Sequence, residues 1–450
     1  MHHSSSPMPS SEVAPETTPE LAREAFAAPT LRTYLGISLF WFAISFFWGA
    51  MLIIVMPARI EEIVGPANKD GAWALVSSVG ALLSGLTQIV FGALSDNSTH
   101  RLGRRQPYLI FGVLATTVVL LFFPGAQTLG ALLGVYIGIQ LFLNIANGPY
   151  QALMPDMIPP AYHGRASAFM GICLLLGRIG GAAIAGFLMQ SPQGVQQLTW
   201  IFIAILNGLM IANIVCLRET PHTNKVSLGA ALKSVWDVPL RPYPSFVWLM
   251  VSRFGINLGL TTVTFCLLYY IGDTLGQGEK AAKGIAANFL VLTTIAALIG
   301  TLPAGYASDR FSKKKVLFVS NGIAMVAGSV FALAPNVAVA QIAAIIFGVG
   351  FGTFAAVDWA LACNLLPPGA PAKYLGVWGF SDNLAQVVAP VIAGPLAYSL
   401  NQNVPGAGYR LLMGVAIIYF ALGTIAIVFI KENPVQPPLE TTPETANVPV

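Results

Sequence analysis

Residues 92–108 read Gly-Ala-Leu-Ser-Asp-Asn-Ser-Thr-His-Arg-Leu-Gly-Arg-Arg-Gln-Pro-Tyr, a charged stretch between two long apolar runs. Only 9% of the 450 residues are charged and 55% are hydrophobic, with a mean hydropathy of +0.71. Soluble domains carry about a quarter charged residues, so this composition excludes a water-facing surface. A basic loop between two membrane spans stays in the cytoplasm, so the stretch also predicts how the chain is threaded.

Apolar runs of about 20 residues recur along the chain, and each is long enough to cross a hydrocarbon layer of about 30 Å. An all-α polytopic membrane protein is therefore expected. An even number of spans returns the C-terminus to the side of the N-terminus. We predict twelve spans, near residues 34–58, 71–95, 107–126, 129–153, 165–190, 198–217, 245–272, 284–308, 315–334, 338–362, 373–399 and 409–431.

The distribution of basic residues supports this threading and places both termini in the cytoplasm. About sixteen Lys and Arg residues fall on one side and about five on the other, as the positive-inside rule requires. The predicted cytoplasmic residues are Arg23, Arg32, Arg101, Arg104, Arg105, Arg165, Arg218, Lys225, Lys233, Arg241, Arg310, Lys313, Lys314, Lys315, Lys373 and Lys431. The predicted outer residues are Arg59, Lys69, Lys280, Lys283 and Arg410.

The two halves of the chain repeat one another. Residues 150–160 align without gaps on residues 358–368, and the same shift places Arg165 on Lys373. Gly-x-x-Ser-Asp also ends the second span of each half, at Asp96 and at Asp309. Two homologous bundles around a site at the membrane midplane are typical of secondary transporters.

The charged stretch resembles the loop between the second and third helices of major facilitator transporters. The pattern Ser-Asp, four variable residues, then Arg-x-Gly-Arg-Arg-x-Pro-Tyr is similar to that of the glycoside-pentoside-hexuronide and sucrose-type sugar carriers. The resemblance implies the major facilitator fold, with twelve transmembrane helices in two pseudo-symmetric six-helix bundles. The expected division is a disordered cytoplasmic tail 1–33, bundles 34–217 and 245–431, a cytoplasmic linker 218–244 and a disordered cytoplasmic tail 432–450.

Charged residues at the cytoplasmic ends of the spans are candidates for a gate. In the family such residues form ion pairs and helix-dipole contacts that hold the halves together when the carrier faces outward. Carboxylates near helix N-termini and Arg–carboxylate pairs contribute about 0.3–2 kcal/mol each, which allows them to break in every cycle. The alternative is that these charges only enforce topology. The gate candidates are Asp96, Arg101, Arg104, Arg105, Asp156, Asp309 and Arg310.

Polar side chains recur at helical spacing in three spans that line the central cavity in the family. Amides with neighbouring aromatic rings suit a sugar, whose hydroxyls need donors and acceptors. The alternative is that such residues hold helices together, at about 0.6 kcal/mol each. The stripes are Trp41, Ser45 and Trp48 in span 1, then Gln140, Asn144, Asn147 and Gln151 in span 4, then Arg253, Asn257, Thr261 and Thr264 in span 7.

Four ionisable residues lie well inside spans: Arg178, Arg253, Asp358 and Asp382. Each costs about 2.5–3.5 kcal/mol at a helix centre unless it is paired or hydrated. We interpret Asp358 as the carboxylate that couples transport to protons, with Arg253 as its partner and Asp382 as a second candidate. The alternative is a static ion pair within the C-terminal half. Arg178 has no acidic partner in its own half and is a candidate ligand for a substrate hydroxyl or carboxylate.

The predicted function is secondary active transport of a small polar solute, a sugar or glycoside, by alternating access across the cell inner membrane. Sodium-coupled members of the sugar family place aspartates within spans 2 and 4, and these two spans lack them here, which favours protons. Simple facilitated diffusion is the alternative. The predicted protein is a monomer in a lipid bilayer without cofactor, metal or nucleic acid. An exporter of an amphipathic metabolite or drug is the alternative. A membrane-embedded enzyme is a remote one, because the five histidines lie in tails and loops.

Overall fold

The computed structural model of the chain describes residues 28–65, 68–219, 229, 235–402, 404 and 406–432. Within these residues twelve long helices and no strand occur, which confirms the predicted all-α class. The first half consists of α1 (Leu31–Ala50, continuing to Val64), α2 (Lys69–Asp96), α3 (Gln106–Leu121), α4 (Leu129–Gln151), α5 (His163–Leu188) and α6 (Gly194–Cys216). The second consists of α7 (Pro244–Tyr269, continuing to Thr274), α8 (Gly278–Arg310), α9 (Lys313–Leu333), α10 (Val337–Leu365), α11 (Pro371–Asn401) and α12 (Ala407–Val428).

Eleven of these helices are long and apolar enough to cross a membrane, and α3 is a shorter apolar helix of 16 residues. The span expected at 107–126 therefore ends early, at Leu121. The chain continues there as Phe-Phe-Pro124-Gly125, and proline cannot extend a helix because it lacks the backbone N–H and clashes with the preceding turn. The first helix, by contrast, is longer than expected at its start: α1 begins at Leu31, inside the tail predicted to end at residue 33.

The helices pack in the same way in both halves. In the first half α1 packs on α5 and α6, α4 packs on α2 and α3, and α6 contacts α3 and α5. The second half repeats all six pairs among α7 to α12. The N-caps repeat as well: Thr128 accepts a hydrogen bond at the start of α4 and Asn336 at the start of α10. The predicted pair of pseudo-symmetric six-helix bundles is confirmed.

Both α1 and α7 contain a π-helical segment near the same end, at Met51–Val55 and Tyr270–Thr274. A π turn inserts one residue into the α-helical repeat and often occurs at functional sites. These segments could not be predicted from the sequence, because apolar periodicity cannot distinguish a five-residue π turn from the α-helix around it.

The two halves meet near one face of the molecule, which we call the basic face because Arg104, Arg105, Arg165 and Lys313 lie there. The contacts between halves are made by α2 with α11, by α5 with α8 and α10, and by α4 with α11. Small residues permit the approach, since a Cβ on Gly164 would lie 2.4 Å from the Gly305 carbonyl oxygen. By contrast, α1 and α7 make at most marginal contact with each other.

Glycines also allow α5 to lie directly against α1 within the first half. A Cβ on Gly177 would lie 2.5 Å from the Phe42 carbonyl oxygen, and a Cβ on Gly181 would lie 2.0 Å from that of Phe46. Small residues four apart are typical of close helix packing in membranes, where van der Waals contact replaces the hydrophobic effect.

We expect Gly181→Ala to destabilise the protein by about 1–3 kcal/mol, because the added methyl group meets backbone that cannot move aside. Gly186→Ala on the same helix is the matched control, since nothing lies within 4 Å of its added Cβ. The measurement is the melting temperature of the purified protein in detergent. Equal melting temperatures for the two variants would contradict this description of the α1–α5 interface.

Candidate functional site

The ionic network on the basic face is centred on the side chain of Arg105, which is 1% exposed. Its guanidinium forms an ion pair with Asp96 at 2.7 Å, donates to Asp156 at 2.9 Å and donates to the Ser95 hydroxyl at 2.6 Å. Arg104 reaches Asp156 at 2.8 Å. Burial disfavours the charged guanidinium, but the two carboxylates outweigh burial and raise the pKa of Arg105 above its ordinary value.

Asp96 also crosses to the other half of the molecule. Its carboxylate accepts hydrogen bonds from the backbone N–H groups of Ala372 at 3.2 Å and Lys373 at 3.0 Å. These N–H groups belong to the first turn of α11, where they have no intrahelical partner and where the helix dipole favours negative charge. The end of α2 is thereby fixed to the start of α11.

Asp309 makes the equivalent contact in the opposite direction. It ends α8 and accepts hydrogen bonds from the backbone N–H groups of Gly164 at 2.7 Å and Arg165 at 3.1 Å, at the start of α5. The Arg165 guanidinium pairs with the same carboxylate at 3.2 Å and lies 4.9 Å from the ring centroid of Tyr306. We call these two reciprocal contacts, of Asp96 with α11 and of Asp309 with α5, the latch.

Two further carboxylates support the latch from within each half. Glu219 accepts from the backbone N–H groups of Arg105 at 2.8 Å and Gln106 at 3.0 Å, at the start of α3. Burial raises the pKa of Glu219, and these hydrogen bonds oppose the rise. Glu432 accepts from the Lys313 N–H at 2.8 Å, at the start of α9.

Neither glutamate was expected in this network, because both fall in the stretches predicted to be the linker and the C-terminal tail. A signal was present: Arg218-Glu219-Thr-Pro follows α6, and Lys431-Glu432-Asn-Pro follows α12. Residues 220–228 and 230–234 of the linker, and residues 1–27 and 433–450 of the two tails, lie outside the described residues. His163 was also missed; its Nδ1 lies 2.5 Å from the Asn364 side-chain oxygen across the halves.

Two predicted gate residues do not join the network. Arg101 and Arg310 are exposed and take part in no ion pair within the described parts of the chain. Five of the seven candidates are therefore brought together, namely Asp96, Arg104, Arg105, Asp156 and Asp309.

Farther from the basic face, Arg253 of α7 and Asp358 of α10 form an ion pair in which the carboxylate is buried. The Arg253 guanidinium also lies 3.7 Å from the ring centroid of Trp378. The predicted Arg253–Asp358 pairing is thus present in the structure. Asp382 is not part of this pair, although it lies within electrostatic range of Asp358.

Arg178 lies where the two halves separate. On α5, Gly164, Ala168 and Gly171 face α8, and Arg178 continues this face two turns beyond Gly171. At 1.5 Å per residue, Arg178 is about 22 Å from the start of α5. Its side chain is exposed, and the opposing charge is Asp382 of α11, which is half-buried. Neither side chain forms a salt bridge in the portion of the chain that the structure describes.

An exposed guanidinium at this depth would be costly in contact with lipid. The face of α5 that bears Arg178 is turned toward the second half, so the charge faces the space between the halves. One arginine and one aspartate, from different halves, are therefore within electrostatic range of each other where the halves separate.

The amides of α4 are arranged differently from the expected cavity lining. Gln140, Asn144 and Gln151 are buried in a hydrogen-bond chain with α2, in which Gln88 donates to Asn144 at 2.8 Å and Gln151 donates to Gln88 at 2.8 Å. These contacts hold α4 to α2 within the first half. Asn147 is also buried, and its Oδ1 has no hydrogen-bond partner among the described residues.

The remaining candidates lie on α1 and α7. Trp41 is buried against Trp359 of α10, Ser45 lies beside Gly177 of α5, and Trp48 is half-buried near Tyr136. On α7, Gly255 and Gly259 pack on α12. At about 100° per residue, Arg253, Asn257 and Thr261 therefore lie on the opposite side of α7. Thr264 is exposed and bonds only to its own helix, at the Leu260 carbonyl.

The chain belongs to the MFS/sugar transport protein family, whose family model matches residues 67–366. It is 28% identical to the tetracycline resistance protein, class E, of Escherichia coli over 281 residues, which are 60% of this chain and 64% of that protein. The chain thus spans slightly less than two thirds of that relative.

Solved structures show the same fold. A bacterial homologue of the iron transporter ferroportin in an outward-facing state matches with a TM-score of 0.69 and 16% identity, over 88% of this chain and 98% of that one. The transporter FucP in the outward conformation matches with a TM-score of 0.68 and 17% identity, over 89% and 99%. The chain is a multi-pass membrane protein of the major facilitator superfamily.

We expect Asp96→Ala to open the basic face. The substitution removes two cross-half hydrogen bonds and leaves Arg105 with one carboxylate. The closed form should lose about 1–3 kcal/mol of stability, which raises the population of the open form about 5- to 150-fold. Spin labels at the exposed positions Arg101 and Arg310 would report this as a longer distance. Asp273→Ala, an exposed carboxylate at the far end of α7, is the control. An unchanged distance distribution in Asp96→Ala would count against the latch.

Proposed function

We propose that this protein is a secondary active transporter that moves a small polar solute, a sugar or glycoside, by alternating access coupled to protons. The observation that carries the proposal is the pair Arg178 and Asp382. The two charges come from opposite halves, lie deep in their spans and are not salt-bridged to each other. A solute between them can bind both halves at once, which is the requirement for a carrier.

The charges indicate to which side of the membrane the space between the halves opens. The positive-inside rule assigns the basic face to the cytoplasm, together with both termini. Because the latch closes that face while α1 and α7 scarcely touch, the proposed state is outward-facing. The similarity to two outward-facing structures supports this assignment.

The chemistry of the chamber suits a hydroxylated solute. A guanidinium donates several hydrogen bonds in a fixed fork to hydroxyl oxygens, and a carboxylate accepts hydrogen bonds from hydroxyl groups, so vicinal hydroxyls can be bound from both sides. Trp48 and Ser45 on α1 and Asn257 and Thr261 on α7 are the proposed additional contacts. Asn147 Oδ1 and Asn257 Nδ2 have no hydrogen-bond partner among the described residues, so they are an acceptor and a donor available to a bound molecule.

Asp358 is the proposed site of proton binding. Its partner Arg253 neutralises it in the present state, and its Oδ1 lacks a hydrogen-bond partner among the described residues. Protonation would remove the attraction for Arg253 and release α7 from α10. The fucose:proton symporter of Escherichia coli shares this fold at 17% identity, which supports the coupling by fold-level analogy alone.

Export of an amphipathic metabolite or drug is the second candidate. The identity of 28% to a tetracycline resistance protein favours it. The two functions differ in the direction of net movement and in the solute. A panel of sugars, glycosides, uronates and tetracycline, tested on the purified protein by thermal shift, distinguishes them: stabilisation by tetracycline alone would replace the sugar proposal with export.

We expect Arg178→Ala to weaken binding of the stabilising sugar by about 10- to 150-fold, because a hydrogen bond to a charged group contributes about 1.5–3 kcal/mol. Isothermal titration calorimetry on the detergent-purified protein measures the Kd. Arg241→Ala, at an exposed position before α7, is the control. An Arg178→Ala protein with the same Kd and the same melting temperature as the parent would remove Arg178 from the binding site.

We expect Asp358→Asn to abolish uphill uptake while part of the solute exchange remains. The amide cannot carry a proton across, but the chamber that binds solute is retained. The assay is uptake into proteoliposomes with and without an imposed pH gradient, beside counterflow of labelled solute. Asp273→Asn controls for loss of a carboxylate. Undiminished accumulation driven by the pH gradient in Asp358→Asn would exclude this residue from coupling.

A further inference from the structure

Three tryptophans form a continuous stack that joins the two halves of the molecule. Trp41 of α1 meets Trp359 of α10 edge-to-face at 5.0 Å between ring centroids, and Trp359 meets Trp378 of α11 edge-to-face at 4.9 Å. We call these three residues the tryptophan ladder. Edge-to-face pairs contribute directional attraction beyond the area that they bury, so their relative positions are fixed.

One end of the ladder holds the charged pair at the centre of the second half. The Arg253 guanidinium lies 3.7 Å from the Trp378 ring centroid while it pairs with Asp358. Trp378 is 1% exposed, so this cation–π contact is shielded from water, where such contacts are strongest. The guanidinium is therefore held by two partners, a carboxylate and an indole face.

The ladder and the ion pair also share a turn of α10. Trp359 follows Asp358 directly in the chain, and its ring packs between Trp41 and Trp378. A movement of Arg253 away from Asp358 must displace it from the face of Trp378 as well. Because the rings are in contact and protein interiors are densely packed, such a displacement reaches Trp41 in the other half.

We propose that Trp378 is a positioning residue for proton coupling: it holds Arg253 against Asp358, and the tryptophan ladder passes the state of that pair to the contact between the halves. This inference rests on the proton coupling proposed above. The charged groups that face Asp358 among the described residues are Arg253 of α7 and Asp382 of α11, so Arg253 is the cation that competes with a proton for the carboxylate.

The test measures how the gap between the halves depends on pH. Spin labels are placed at Gln127 and Gln277, which are exposed on the face opposite the basic face, in a background with the four cysteines replaced. We expect the distance in the parent to shorten as the pH falls, with a defined midpoint. Without the full cation–π contact a proton displaces Arg253 more easily, so Trp378→Phe should move the midpoint upward by about 0.5 pH unit.

Trp378→Leu, which keeps an apolar side chain but no ring, should move the midpoint farther in the same direction. This graded order separates positioning from general loss of packing. Midpoints are compared only between proteins whose melting temperatures match. Trp248→Phe and Trp248→Leu are the controls, because Trp248 is partly exposed and stacks on Phe429 at 4.6 Å, outside the ladder.

If the parent responds to pH and the Trp378 variants have the same midpoint as the parent, this inference is overturned and proton coupling is left intact. A parent whose distance does not respond to pH at all would overturn the proposed coupling, and the inference with it. A midpoint that shifts equally in the Trp248 controls would also overturn the role of Trp378.

Discussion

The closed face of this protein depends on one constraint, which is that the first backbone N–H groups of a helix have no partner within it. At the starts of α5 and α11 these groups lie in the contact between the halves, where water is excluded. Each half supplies the missing acceptor to the other, through Asp309 and Asp96. Because each contact contributes only about 0.3–2 kcal/mol, the halves can be held together without being locked.

The same constraint explains the supporting carboxylates. Glu219 and Glu432 bond to the starts of α3 and α9 within their own halves. In this way the chain that follows the last helix of each half is bonded to the start of the third helix. This contact lies beside the end of the second helix, whose aspartate bonds to the other half. A movement of one half therefore carries Glu219 or Glu432 with it, whereas Asp96, Asp309 and the His163–Asn364 pair must exchange their partners.

Much of the fold was predictable because lipid imposes simple rules. Apolar length, basic loops and the internal repeat predicted twelve helices and two halves, and both were confirmed. Periodicity also predicted which face of α4 carries amides, but it could not show that Gln140 and Asn144 join a hydrogen-bond chain with α2. The pairing of Arg253 with Asp358 followed from depth and charge. The opposition of Arg178 to Asp382 did not, because it arises between elements about 200 residues apart. The tryptophan ladder was missed for the same reason.

The central claim is that Arg178 lies in an aqueous chamber that is closed toward the basic face. The most direct measurement is the reactivity of a single cysteine in Arg178→Cys, in a background without the native cysteines, toward a membrane-impermeant thiol reagent added to either side of sealed vesicles. The account predicts rapid labelling from the outer side and slow labelling from the basic side in solute-free protein. Absence of labelling from both sides would contradict it, because the side chain would then face lipid or a dry interface.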